Sequence, residues 1–257
     1  MILEEEKPSE LPTGWVWTSM GELCEHVQKV NPKEKPDSEF KYIEIASINN
    51  QKQRITDVSI CKGKDAPSRA RQLVKNGDTL FSTVRTYLKN IALVGEDLDG
   101  QIASTGFCVI RPTDLINKRV IFYFVQTNNF LNKLTKIQRG TSYPAVRDSD
   151  VFAQRFALPP FMEQGRIVNK VEELFSFLDA GTESLRKVQT QLKRYRQAVL
   201  KYAFEGKLTE EWRKTHKDKL EPAQKLLERI KQERYLYWTE NIEKLGRDPR
   251  KYRYNRP

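Results

Sequence analysis

The segment Arg155–Asp179 reads RFALPPFMEQGRIVNKVEELFSFLD, and its Leu158-Pro159-Pro160-Phe161 has the outline of an Asn/Asp-Pro-Pro-aromatic loop. Amino-methyltransferases use such a loop to hold a target base, the acidic or amide residue before the prolines accepting from its amino group. Here that residue is Leu158, which can accept nothing through its side chain. An S-adenosylmethionine site also needs a glycine-rich strand-to-helix turn, and no Gly-x-Gly occurs among the 12 glycines. Paired prolines before an apolar periodic run are instead ordinary helix-entry chemistry, because proline breaks a strand ladder and its fixed φ suits a first helical turn. Asp148 and Asp150 in RDSD are the next candidates, as ligands of a metal-dependent nuclease. No Glu-x-Lys follows them at strand spacing, and a solvated turn or helix cap accounts for both. His26 and His216 stand far apart, and Cys24, Cys61 and Cys108 are isolated, with no Cys-x-x-Cys. Neither a Ser-His-Asp order nor a P-loop, His-Glu-x-x-His or calcium-loop pattern is present. No catalytic or metal site is expected, and the chain reads as a protein that is not an enzyme on its own.

What remains is binding. The chain has 257 residues, a net charge of +11 and 31% charged residues, a balance that favours a polyanionic partner, nucleic acid first. The surplus is spread, at +6 over residues 13–162, +2 over 163–205 and +6 over 206–257, while residues 1–12 carry −3. Three unpaired cysteines fit free thiols in a reducing compartment. The acidic start MILEEEKPSE has no apolar core, and no apolar run reaches the ~18 residues a bilayer span needs. The expectation is a cytoplasmic protein without a membrane segment.

Four regions follow from the pattern. Residues 1–12 read as a flexible segment. Residues 13–160 read as a mixed α+β domain. Short β-branched or aromatic runs bounded by turn residues mark strands at Phe40–Ile48, Asp78–Arg85, Asn90–Gly95 and Ile102–Pro112. Val120, Ile121, Phe124, Leu131 and Leu134 have helical spacing in a helix stopping at Gly140, and Arg155–Leu158 is a last strand. In residues 161–205, Ile167, Leu174, Gly181, Val188, Tyr195 and Tyr202 recur every seven residues, with Val171, Leu178, Leu185, Leu192 and Val199 offset by four. This is a coiled-coil seam, and Gly181 predicts a local irregularity in it. At 1.5 Å per residue such a helix is about 65 Å long. A domain of this size has a radius of gyration of about 15 Å, so the seam requires another long helix. Residues 206–257 read as a charged tail, with a helix opened by Pro222, closed by Gly246 and carrying Ala223, Leu226, Leu227, Ile230 and Tyr237 on one face.

Polar and basic residues gather in the predicted connections Asn49–Arg54, Lys62–Arg71, Arg85–Asn90 and Gln138–Pro144. Arg, Lys, Gln and Asn read base edges, and Ser, Thr and backbone amides grip phosphates. Four such loops on one basic domain point to DNA.

The order of motifs resembles the DNA-specificity (S) subunits of type I restriction-modification systems. LPTGWVWTSMGELC is similar to the Leu-Pro-x-Gly-Trp opening of their target recognition domains, and GDTLFSTVRTYLKNIAL to their Gly-Asp-x-Leu-x-Ser-x-x-Arg-Pro-Tyr-Leu stretch, with Thr86 in place of the usual proline. STGFCVIRP, RGTSYPAV, the segment from LPPFMEQGRIVNKVEELFSFLD to LKRYRQAVLKYAFEGKLT, and EEWRKTHKDKLEPAQKLLERIKQER follow in the family's order, from about Leu11 to about Arg234. The resemblance implies a target recognition domain, a long conserved helix and a helical tail, the helix packing antiparallel against that of a second recognition half or copy. It implies double-stranded DNA as ligand, read as one half of a bipartite site, with methylation (M) and restriction (R) subunits as partners. Those partners would carry S-adenosylmethionine, ATP and Mg, and this chain would hold no cofactor. Expected DNA contacts are Gln51, Lys52, Arg54, Arg69, Arg71, Arg85, Tyr87, Lys89, Arg139, Thr141, Ser142 and Tyr143. Arg139, Thr141 and Ser142 recur with the family motif and are expected on phosphates, whereas Gln51, Lys52, Arg54, Arg69 and Arg71 lie where sequence reading should vary; Arg85 has a structural role as its alternative. The expected helix–helix interface is Ile167, Val171, Leu174, Leu178, Leu185, Val188, Leu192, Tyr195 and Val199. The linker-like ends, Met1–Glu10 and Arg247–Pro257, suggest a piece of a two-domain subunit, with a dimerising half-subunit as the other possibility. A stand-alone dimeric DNA-binding regulator with a coiled-coil arm is the competing function.

Overall fold

The computed structural model describes residues 10–251. The expected N-terminal segment and terminal linker therefore lie largely or partly outside the described residues. The chain separates between Leu178 and Asp179 into two compact units.

The first unit contains twelve strands: β1 (Val16–Ser19), β2 (Cys24–Glu25), β3 (Glu39–Ile43), β4 (Ile48–Asn49), β5 (Arg54–Ile55), β6 (Ser59–Lys62), β7 (Ala70–Leu73), β8 (Thr79–Ser82), β9 (Ile91–Leu93), β10 (Ile102–Ser104), β11 (Phe107–Pro112) and β12 (Arg155–Leu158). Helices α1 (Lys118–Phe124), α2 (Asn128–Lys136) and α3 (Asp148–Phe152) stand between β11 and β12. One four-stranded sheet has the order β6-β3-β10-β7, parallel at β3/β10 and otherwise antiparallel; the other, β2-β11-β8-β9, is wholly antiparallel. The second sheet is the middle layer. From it, Leu80, Ala92, Phe107 and Val109 meet Ile43 and Ala103 of the first sheet, whereas Phe81, Ile91, Cys108 and Ile110 meet Val120, Ile121, Phe130 and Leu134 of α1 and α2. Alternate residues of one strand thus enter different cores, and β8 and β11 are buried along their whole length.

The α+β class expected from the sequence is the one observed. Several boundaries differ, each for a local reason. The run 102–112 is two strands in different sheets. The chain crosses between the sheets at Gly106, where an added Cβ would come within 2.9 Å of Ile45 Cδ1 and oblige that side chain to move. The strand expected over 40–48 breaks at a 3-10 turn, Ile45–Ser47. The helix expected to run to Gly140 is two helices. Thr127 adopts extended backbone and its Oγ1 accepts from Phe130 N, capping α2. Lys62–Arg71 is not wholly a loop, since β6 ends at Lys62 and β7 begins at Ala70.

Pro159-Pro160 lies between β12 and the 44-residue α4 (Phe161–Phe204), and Pro160 O accepts the first helical bonds, from Glu163 N at 2.8 Å and Gln164 N at 3.2 Å. The first turns of α4 are anchored. Gln164 is buried, its Oε1 accepting from Asn117 N (2.8 Å) and its Nε2 donating to Pro159 O (3.1 Å). Val168 joins the core, Trp15 Nε1 donates to Glu163 Oε2 (3.0 Å), and Arg119 pairs with Glu172.

In the second unit, the helix passes through Gly181 without a break, so the irregularity expected there is absent. After Gly206 (φ 72°) come α5 (Glu210–Thr215) and α6 (Ala223–Lys244), which Pro222 precedes and Gly246 (φ 67°) follows. Among the described residues no helix is long and apolar enough to cross a membrane.

Candidate nucleic-acid interface

The two-stranded hairpin β4–β5 is closed by residues 50–53. Asn49 Oδ1 accepts from Gln51 N (3.1 Å) and Lys52 N (3.0 Å), which folds the tip back on itself and leaves the side chains of Gln51, Lys52 and Arg54 exposed. The tip is tied to the turn after β8. Asn50 Nδ2 donates to Leu88 O (2.9 Å) and Gln53 Nε2 to Lys89 O (3.3 Å). That turn, Arg85–Lys89, begins and ends in left-handed backbone, with φ 49° at Arg85 and 54° at Lys89. Each such non-glycine residue costs about 1 kcal/mol. Tyr87 is exposed, and Lys89 Nζ donates to Asn128 Oδ1 (3.1 Å).

The same turn grips the segment 139–145. Arg139 and Ala145 exchange backbone bonds of 2.9 Å around Gly140 (φ 95°), Arg85 N donates to Pro144 O (2.7 Å), and Val84 bridges Ala145. The Arg85 guanidinium donates to Ser142 O (3.2 Å) and lies 5.0 Å over the Tyr143 ring. Thr141, Ser142 and Tyr143 are exposed, and Arg139 reaches Asp150 Oδ1 at 3.7 Å. Beneath the turn, Gln138 Nε2 donates to Thr86 Oγ1 (2.7 Å), which contacts Thr135 Oγ1 (3.2 Å), so α2 supports both segments.

Arg69 and Arg71 are placed differently. Arg69 is exposed and its carbonyl accepts from Thr105 N (2.9 Å) at the crossing between the sheets. Arg71 lies in β7, its guanidinium engaged by Asn31 Oδ1 and Ser68 O, an arrangement that holds the segment before β3 in place. The structure therefore joins Gln51, Lys52, Arg54, Tyr87 and Lys89 with Arg85, Arg139, Thr141, Ser142 and Tyr143 through a continuous bonding network, and the bonds of Arg69 and Arg71 lie outside it. Asn50 and Gln53 were not singled out in the sequence. Their only local signal is the amide-rich NNQKQR, which does not say which amides face inward.

Residues with catalytic potential have structural surroundings. Asp150 Oδ2 accepts from Arg147 N (2.9 Å), capping α3. Burial pushes the Cys24 thiol up to about 12 and holds Cys108 well above the ordinary range, so neither supplies a thiolate at neutral pH. Among the described residues no group of three His, Cys, Asp or Glu side chains is placed to hold a metal ion. Asp78, expected at the start of a strand, stands just before β8, buried and bidentate with Arg111, at 2.9 Å from Nε and 2.6 Å from Nη2. It also accepts from Lys75 N at 2.8 Å. This pair fixes the end of β11 against the turn before β8.

Along α4 the expected interface divides. Ile167, Val171 and Val199 are half-buried, while Leu174, Leu178, Leu185, Val188, Leu192 and Tyr195 are exposed. The heptad seam of α4 is therefore largely exposed beyond its first turns.

Comparison with known proteins adds the lineage. Residues 12–193 match the family described as type I restriction modification DNA specificity domain. The EcoDI specificity subunit of Escherichia coli is 24% identical over 235 residues, covering 90% of this chain and 51% of the relative. The EcoKI specificity subunit of Escherichia coli (strain K12) is 26% identical over 218 residues, covering 79% and 45%. The crystal structure of the HsdS subunit from Thermoanaerobacter tengcongensis is 39% identical with a TM-score of 0.68, over 77% of this chain and 50% of that one. The chain thus spans about half the length of the relatives it matches. The matched span takes in the mixed sheet domain and the long helix as far as residue 193, and the chain belongs to the type I restriction-modification DNA specificity family.

Proposed function

We propose that this chain is a sequence-specific DNA-binding specificity component of a type I restriction-modification complex. Its domain reads one half of a bipartite site in double-stranded DNA, and its long helix docks methylation subunits, restriction subunits and a second recognition half. The observation that carries this reading is the joined surface of the β4–β5 hairpin, the Arg85–Lys89 turn and the Arg139–Ala145 segment, on a chain of net charge +11. Exposed Gln51, Lys52 and Arg54 have the donors that base edges in the major groove accept, and Arg139 with Thr141 and Ser142 suits phosphate oxygens. Arg85 acts chiefly as the clamp between segments, because its guanidinium is occupied by Ser142 and Tyr143. The chain performs no chemistry itself and holds no cofactor; S-adenosylmethionine, ATP and Mg belong to its partners, and the complex works in the cytoplasm.

The test is transfer of labelled methyl groups from S-adenosylmethionine to genomic DNA, with this chain alone, a cognate methylation subunit alone, and both together. Labelling is expected only in the mixture. Labelling by the chain alone would overturn the division of labour, and no labelling in any mixture, with no complex formed, would favour a stand-alone dimeric regulator.

A further inference from the structure

Among the described residues, the non-glycine positions with left-handed backbone are Gln53 (φ 51°), Arg85 (49°) and Lys89 (54°), and all three meet at one junction. Gln53 donates from the same amide nitrogen to Asn50 O and to Lys89 O, while Asn50 Nδ2 donates to Leu88 O. Among the described residues, two of the three buried side-chain polar atoms without a partner, Gln53 Oε1 and Arg85 Nε, belong to the same residues. A fold keeps strained backbone and unmet hydrogen-bonding capacity together where an arrangement is used, not where stability alone decides it.

We propose that Gln53, assisted by Asn50, is a positioning residue for specificity: it latches the β4–β5 hairpin onto the Arg85–Lys89 turn so that the hairpin presents base-reading side chains in one fixed geometry. The inference rests on the DNA-reading function proposed above. Gln53 does not read bases itself, since its amide donors are spent on Asn50 and Lys89 carbonyls. Its neighbours Gln51 and Lys52 carry exposed side chains on a backbone already pinned by Asn49. Discrimination between bases depends on donor and acceptor placement within about 0.5 Å, whereas attraction to phosphates tolerates far larger displacement. Releasing the latch should therefore blunt sequence preference and leave general DNA affinity alone.

The experiment is selection of bound duplexes from a random-sequence pool by the full chain, comparing wild type, Gln53→Met and Gln53→Gly, with Arg139→Ala as the phosphate-contact control. Gln53→Met keeps the side chain's length and the strained backbone but removes both donations. Gln53→Gly relieves the backbone as well, so one variant stands if the other fails to fold. Wild type should enrich one motif. Both Gln53 variants should bind the unselected pool with unchanged affinity and salt dependence while enrichment of the motif falls by about tenfold. Arg139→Ala should weaken binding to all sequences alike and keep the motif. Gln53 variants that retain the motif at full enrichment overturn the latch and leave DNA reading intact, and so does equal loss of pool affinity and motif. A wild-type chain that enriches no motif overturns the DNA-reading function itself.

Discussion

The middle sheet and the helix α4 place their apolar residues under opposite rules. In β8 and β11 every residue is buried, because one face fills the core against the first sheet and the other fills the core against α1 and α2. Along α4 only Gln164 and Val168 are buried, and Leu185 and Leu192 are 71% and 61% exposed. The sheet domain satisfies itself; the helix carries an equally regular apolar pattern that the described residues leave largely exposed. Regular patterning therefore reports that an apolar face exists, not that it is covered. The two cases also differ in what they tolerate: a buried pair in the domain has no substitute partner, while a charge at Leu185 or Leu192 on the helix seam meets solvent.

The sharpest way to break this contrast is Asp78→Asn. It strips Arg111 of its buried counter-charge and should destabilise the first unit by roughly 3–5 kcal/mol in denaturant unfolding. An arginine side chain stays charged in proteins whatever its partner, so the cation cannot escape by losing its proton. A loss below about 1 kcal/mol would mean that the domain relaxes around this pair as a surface would. On the helix the expectation reverses. Leu185→Asp with Leu192→Asp should change unfolding by no more than about 0.5 kcal/mol, yet abolish self-association or subunit docking seen by light scattering. An unchanged mass and unchanged docking would remove the seam's role. The smallest effect belongs to Gly181→Ala. Nothing lies within 4 Å of the added Cβ, and the helix should gain up to about 1 kcal/mol, visible as higher helicity at elevated temperature.

Much of the architecture was legible for physical reasons. The seam from Ile167 to Val199 is periodic, and periodicity is a local property of the chain. Pro160 and Gly246 mark helix limits because their backbone preferences act within a turn. Thr127 was less visible, since the polar stretch Gln126–Asn129 falls between apolar positions without disturbing the spacing that suggests one helix. The split of 102–112 was hidden for a related reason. Both faces of β11 are buried, so no alternation marks where one strand ends and the next begins.

The candidate site divides in the same way. Composition alone singled out the loops carrying Lys52, Arg54, Lys89 and Arg139, because charge and amide content need no fold to be read. Arg71 was grouped with them, and only its bonds to Asn31 and Ser68 show it serving the framework.

The sequence by itself determined the basic charge, the strand-forming segments, the long heptad helix and the loops rich in Arg, Lys, Gln and Asn, since each depends on residues near one another in the chain. Tertiary structure decided which of those loops meet. Arg85 and Ser142 are 57 residues apart, and Gln53 and Lys89 are 36 apart. Their hydrogen bonds, the left-handed turns they require and the Asp78–Arg111 pair exist only once the middle sheet has brought distant segments within bonding distance.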